Sequence, residues 1–190
     1  DALGRLISQS ELLAAQSGRP VIVVGSTIDG RSGLVSYGGA VARSRLHRFS
    51  YRRVWNDSMP VACETMNGNC VLIQLAVARR IGNLDPVYEH AMGDTDYALR
   101  AREAGVGVFV AAGVMGRCPN NPLAGSFTDD SLPWRRRWQL MLGRKGLPVR
   151  SWLHFTRRHG GLMWPLYFVW PYAKLAVSGM GRTRHAVADA

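Results

Sequence analysis

A chain of 190 residues is long enough to bury a sizeable core and short for two full domains, so it reads as one domain with an appendage. Its three cysteines, Cys63, Cys70 and Cys118, are odd in number and lack metal-ligand spacing, which argues against a disulfide framework and for reduced thiols in a cytoplasmic protein. The net charge of +11 is lopsided: residues 1–130 hold 13 Arg and no Lys against 12 acids, a balance of +1, whereas residues 131–190 hold 11 basic residues against Asp189 alone, a balance of +10.

The chain starts directly in a helical pattern at Asp1, with no charged and apolar leader of the secretory kind. Leu3, Leu6, Ile7 and Leu13 give residues 2–16 an amphipathic period that Ser17-Gly18 and Pro20 end. Pro20 to Val24 is a continuous β-branched run closed by Gly25, the pattern of a strand inside a sheet covered on both faces. From Gly25 to Asn56 the sequence is rich in Gly, Ser and Arg and reads as a long irregular excursion. Its stretch Arg43 to Arg53 is either a solvated basic loop or a contact surface for an anionic ligand.

Pro60 to Thr65 reads as a strand entering the turn Met66-Asn67-Gly68-Asn69, followed by strand Cys70 to Ile73 and a short helix Leu75 to Arg80 stopped by Gly82. Met92-Gly93-Asp94-Thr95-Asp96-Tyr97 then opens a helix that Gly105 stops. Tyr97, Ala98, Ala101 and Ala104 form its buried face, and Arg100, Arg102 and Glu103 point elsewhere. Asp94 falls at or near the N-cap, and Asp96 precedes Arg100 by four residues, so local chemistry predicts a cap and a surface ion pair. His90, four residues before Asp94, is a candidate substrate contact or an ordinary surface imidazole. Val106 to Ala112 reads as a strand.

Taken together, Asn67-Gly68-Asn69-Cys70-Val71-Leu72-Ile73, Ala78-Arg79-Arg80-Ile81-Gly82-Asn83-Leu84-Asp85 and Gly93-Asp94-Thr95-Asp96-Tyr97 through Arg100-Ala101 to Ala104-Gly105 resemble the second half of a family 2 glycosyltransferase domain of the GT-A type. The resemblance covers about residues 1–120 and departs where Gly93 replaces the first acid of the usual pair. It implies an incomplete GT-A domain over residues 1–125, a mixed α/β sheet with helices on both faces. It further implies an inverting transfer of a sugar from a nucleotide-sugar donor to a saccharide or lipid-linked acceptor in bacterial-type surface glycan synthesis. In that reading Asp94 is the base, Asp96 and Arg100 orient it, and Asn67, Gly68 and Asn69, joined by Glu64 and His90, border the sugars. The divalent cation, Mg or Mn, and the donor-binding half are expected upstream of residue 1, because the resemblance places the family's metal- and nucleotide-binding Asp-x-Asp motif just before the helix that starts at Asp1. Cys118 falls near the family's metal-contacting His, and a thiolate suits neither ion, so no metal ligand is assigned here.

Residues 126–190 read as a tail of amphipathic helices. Ser131 to Trp138 resembles the Gln-x-x-Arg-Trp motif of processive members of that family, with Trp134 in place of the Gln, and is read as an amphipathic basic helix. Leu162 to Ala173 is apolar for too few residues to span a bilayer, contains Pro165 and Pro171, and carries Trp and Tyr among flanking Arg157, Arg158, Lys174, Arg182 and Arg184. The expected partner is therefore an anionic membrane surface, with the protein peripheral on the inner face of the cell membrane and not bound to nucleic acid. The alternative is a non-catalytic basic module that holds nucleic acid or another polyanion, and no nucleic-acid fold signature supports it.

Overall fold

The computed structural model describes residues 1–44 and 46–188, with side chains of the last helix described as far as Ser178. Arg45 and Asp189, and the side chains of Arg182 and Arg184, lie outside the described residues. The chain is a mixed α/β structure in two compact units: Asp1–Asp85 with Gly93–Asn121, and Pro86–Met92 with Pro122–Ala190.

In the first unit, helix α1 (Ala2–Ser17) covers the amphipathic stretch. The Asp1 carboxylate accepts the Leu3 N–H at 2.9 Å, and Gly18, at φ 63°, closes the helix in a left-handed conformation that a Cβ would disfavour. Strand β1 (Val21–Ile28) follows, and its residues Val21 to Val24 are all 0% exposed. Two helices further along, α2 (Leu75–Ile81) and α3 (Gly93–Glu103), explain why no polar residue interrupts that run. Val21 and Val23 cluster with Leu6 and Leu13 of α1, while Ile22 and Val24 cluster with Val77 of α2 and Tyr97, Ala98 and Ala101 of α3. Helices thus cover both faces, and each buried Val or Ile contributes about 1.5–3 kcal/mol of hydrophobic transfer.

A five-stranded mixed sheet is built on β1. Strand β8 (Gly107–Arg117) runs parallel to it, from Val21 opposite Gly107 to Ile28 opposite Arg117. The other edge of β1 is shared by two antiparallel strands, β7 (Val71–Ile73) against Ile22 to Val24 and β2 (Val35–Tyr37) against Thr27 and Ile28. Strand β5 (Val61–Ala62) pairs antiparallel with β8. The end expected at Gly25 is not the end of β1. The Gly25 N–H donates to the Cys70 carbonyl at 2.8 Å, and a Cβ there would come within 2.7 Å of Cys70 Sγ and 2.8 Å of Met115 Cγ, so glycine keeps the strand in register at a crowded crossing.

The excursion over residues 25–56 is likewise not irregular. It supplies β2 and the hairpin of β3 (Gly39–Ala42) with β4 (Tyr51–Val54), and β6 (Thr65–Met66) completes a three-stranded antiparallel sheet in the order β4-β3-β6. Strands of two to four residues carry too little alternation to be read from sequence. The predicted strand Pro60 to Thr65 is split between the two sheets, as β5 and β6. The turn Asn67-Gly68-Asn69 therefore passes the chain from β6 of one sheet to β7 of the other and is not a hairpin turn.

All three cysteines are free, and burial pushes the Cys63 thiol up to about 12. At pH 8 that leaves about 10³-fold less thiolate than an ordinary thiol. Iodoacetamide followed by peptide mass mapping should label Cys118 and Cys70 first and leave Cys63 untouched until the protein is denatured. Early labelling of Cys63 would contradict its place between β3 and β8.

The second unit contains α4 (Trp134–Leu142), α5 (Val149–His159), a 3-10 turn Gly161–Met163 and α6 (Trp164–Ala188), so the expected C-terminal helices are present. Helix α5 buries Ser151, Trp152, Phe155, Thr156 and His159, which follow a helical period. Helix α6 docks through polar tips of aromatic side chains: Trp152 Nε1 donates to the Phe168 carbonyl at 3.1 Å, Trp134 Nε1 to Leu175 at 3.0 Å, and Tyr172 Oη to Leu147 at 2.8 Å. Pro165 sits in the first turn of α6, where no N–H partner is needed, and the helix continues through Pro171. Among the described residues no helix is long and apolar enough to cross a membrane.

Candidate functional site

The first turn of α3 is where the polar groups of the first unit converge. The helix opens on Gly93, so Asp94 lies in its first turn, near the N-cap as the sequence predicts. Its half-buried carboxylate is held at both oxygens. Oδ2 accepts the Gly68 N–H at 2.9 Å, across 26 residues of chain, and Oδ1 accepts the Thr95 N–H at 2.8 Å. A carboxylate has about four lone-pair directions, so two remain for a ligand hydroxyl. The positive end of the helix favours the negative charge there.

Gly68 approaches Asp94 closely but without crowding, since a Cβ at Gly68 would lie 3.7 Å from Asp94 Cβ. Its neighbours extend the cluster. The Asn67 N–H donates to the Gly38 carbonyl at 3.0 Å, which fixes the turn through its backbone. Exposed Asn69 donates from Nδ2 to Cys118 Sγ at 3.7 Å. Asp94, Gly68, Asn69 and Cys118 thus form one continuous chain of contacts, and Asn67 adjoins it.

The segment after β8 is fastened beside this chain. The Cys118 N–H donates to the Ile28 carbonyl at 2.9 Å, the Asn120 N–H to Asp29 Oδ2 at 3.0 Å, and the Asn121 N–H to Tyr37 Oη at 3.1 Å. The Asn120, Arg31 and Ser32 backbone N–H groups hold the Asp29 carboxyl below the usual carboxylate range. Arg53, from the basic excursion, reaches Asn120 Oδ1 at 3.3 Å. Asp29 and Cys118 are residues that sequence reasoning did not place in a site. The local signal for Asp29 is the Asp-Gly turn it opens, and nothing local announces its bond to Asn120.

Asp96 and Arg100 make the predicted i,i+4 pair, but not on the surface. Arg100 Nε donates to Asp96 Oδ2 at 2.7 Å, with the two side chains 10% and 0% exposed. Arg100 also donates from Nη1 to the Ile81 carbonyl and from Nη2 to the Asn83 carbonyl, both at 2.9 Å, and lies 5.0 Å from the Tyr97 ring centroid. One planar guanidinium therefore ties α3 to the end of α2 and to the turn Gly82-Asn83. The expectation that Arg100 points away from the core is corrected by those carbonyls, which need a donor inside the protein.

Two further predicted site residues are Glu64 and His90. Glu64 Oε2 accepts the Ala42 N–H at 3.0 Å and Oε1 stands 4.0 Å from Arg102, so its carboxylate serves the three-stranded sheet. His90 belongs to the second unit and is exposed there. Among the described residues no three His, Cys, Asp or Glu side chains group so as to hold a metal ion, so these residues do not form a ligand set for Mg or Mn.

No family model matches the chain, and neither a curated protein nor a solved structure matches it.

Proposed function

We propose that this chain is the acceptor side of an inverting glycosyltransferase of the GT-A type, with Asp94 as the general base. The acceptor hydroxyl oxygen bonds to the anomeric carbon of a nucleotide sugar from the face opposite the diphosphate. Its proton passes to the Asp94 carboxylate, and the breaking carbon–oxygen bond leaves its electron pair on the nucleoside diphosphate. Asn67 and Asn69, whose amides are both donors and acceptors, suit sugar hydroxyls. The divalent cation expected from the resemblance would be ligated outside these residues, and no step here depends on it.

A single observation carries the reading: the 2.9 Å bond from the Gly68 N–H to Asp94 joins the two stretches of sequence that the resemblance assigns to one sugar site. Neither stretch needs the other for its own local structure. The Asp96–Arg100 pair supports the same arrangement by fixing α3 against α2. The acceptor is a saccharide or lipid-linked saccharide, and the protein is peripheral on the inner face of the membrane.

Product stereochemistry tests the reaction. A protein carrying this chain should release nucleoside diphosphate from a panel of UDP- and dTDP-sugars only when acceptor is present. Proton NMR of the product should show the opposite anomeric configuration to the donor. Retention of configuration, or no acceptor-dependent release with any donor, rejects the proposal.

A further inference from the structure

Helix α5 contributes four basic side chains to one cavity. Arg150, His154, Arg157 and Arg158 follow one another at spacings of four, three and one, so they share one side of the helix, and with Val87 and Leu153 they line an open cavity of about 520 Å³ in the second unit. No carboxylate is among the lining residues. Arg157 and Arg158 have an ordinary structural reason to be there, because cations suit the negative end of a helix. Arg150 has the opposite setting. It stands in the first turn of α5, where the helix dipole disfavours a cation, and among the described residues no carboxylate pairs with it. The guanidinium groups of Arg150, Arg157 and Arg158 round one hollow are stabilised by an anion in it, and they match phosphate oxygens in pairs.

The surroundings identify the anion's carrier. Arg157 lies over the Trp164 ring, 5.4 Å from its centroid, and between them runs the turn with Leu162, 99% exposed, and Met163. Beyond it Leu166, Trp170 and Val177 follow at helical spacing along α6, all exposed. An apolar stripe that begins beside a cationic hollow matches the layering of a bilayer surface, with phosphates outside and acyl chains beneath. A free anion would need no such stripe. We infer that the cavity lined by Arg150, His154, Arg157 and Arg158 binds the phosphate headgroup of an anionic membrane lipid, while Leu162, Leu166 and Trp170 enter the acyl boundary beside it. The inference deepens the peripheral-membrane part of the proposed function and is independent of Asp94.

Sedimentation at physiological salt with vesicles of phosphatidylglycerol in phosphatidylcholine, against phosphatidylcholine alone, tests it. The protein should partition to the anionic vesicles only. Replacing Arg150, Arg157 and Arg158 by Gln should weaken partition about 10²-fold, whereas replacing the exposed Arg135, Arg136 and Lys145 by Gln should cost no more than about threefold. Inorganic diphosphate, matched in ionic strength with chloride, should compete with the unaltered protein and not with the Arg150 triple variant. Thermal melting by circular dichroism checks each variant. If the triple variant melts early, Arg150→Gln alone is read, with an expected loss of about fivefold. Equal losses in the two triple variants overturn the headgroup site and leave membrane adsorption standing. No partition of the unaltered protein overturns both, and tighter retention on duplex DNA than on anionic vesicles overturns both in favour of nucleic acid.

Discussion

Asp94→Asn is expected to lower sugar transfer about 10²- to 10⁴-fold while the protein stays folded. The substitution is close to isosteric, and it removes one thing: an amide oxygen does not take a proton from an acceptor hydroxyl at neutral pH. Its structural cost is bounded by the two N–H donors that hold the carboxylate, Gly68 at 2.9 Å and Thr95 at 2.8 Å. An amide keeps one acceptor for them and turns its NH₂ toward the other, which costs about 1 kcal/mol. For a chain of this size that is a fall in melting temperature of about 2–4 °C. Measuring kcat beside the melting temperature separates the roles. Near-normal transfer with a depressed melting temperature would make Asp94 a structural tie between α3 and the Asn67-Gly68-Asn69 turn, and the proposed chemistry would lose its base. Asp96→Asn, by contrast, acts on a buried partner of Arg100 and is expected to reduce stability more than rate.

Arg100→Met should be strongly destabilising, at about 3–5 kcal/mol. It withdraws the guanidinium from a carboxylate that is 0% exposed and from two backbone carbonyls, that of Ile81 at the end of α2 and that of Asn83 in the turn after it. At about 2–4 °C per kcal/mol, the melting temperature should fall by roughly 6–20 °C. Arg100→Lys keeps the charge but not the planar fork, and one ammonium does not reach all three acceptors, so it should fall between the two. The double variant Asp96→Asn/Arg100→Met should recover much of the loss, because it no longer buries a carboxylate without its cation. Denaturant melts of the four proteins form a double-mutant cycle. A loss under about 1 kcal/mol in Arg100→Met is the behaviour of an exposed ion pair and would contradict the packing of α3 on α2.

Much of this architecture is local enough to be legible in the residues. The amphipathic period ending at Gly18, the unbroken run Val21 to Val24, and the helix stops at Gly82 and Gly105 all reappear in the structure, the three glycines with φ of 63°, 76° and 80°. Each of these signals lies within one turn or one strand, where propensity and periodicity act without long-range help. Segregation of charge into the last third of the chain is also a property of sequence alone. It told of a basic surface, but not that Arg150, His154, Arg157 and Arg158 would line one cavity.

What the residues left open is which polar groups meet. Asp94 and Asp96 are two positions apart on one helix, about 200° round its axis, so one faces the Gly68 turn and the other the core. No local pattern says which. That was decided by the arrival of the Ile81 and Asn83 carbonyls beside Arg100, which drew Asp96 inward, and by the crossing of the chain from β6 to β7, which delivered the Gly68 N–H to Asp94. The strands of residues 35–54 escaped notice for a related reason: each is too short to show alternation and exists only because a partner strand satisfies its backbone. Sequence by itself determined the helices, the central strand and the basic tail, because their physics is periodic and near-neighbour. Tertiary structure decided the site, because its bonds join residues 26 apart and more, and such bonds depend on loop closure that only the whole folded unit stabilises.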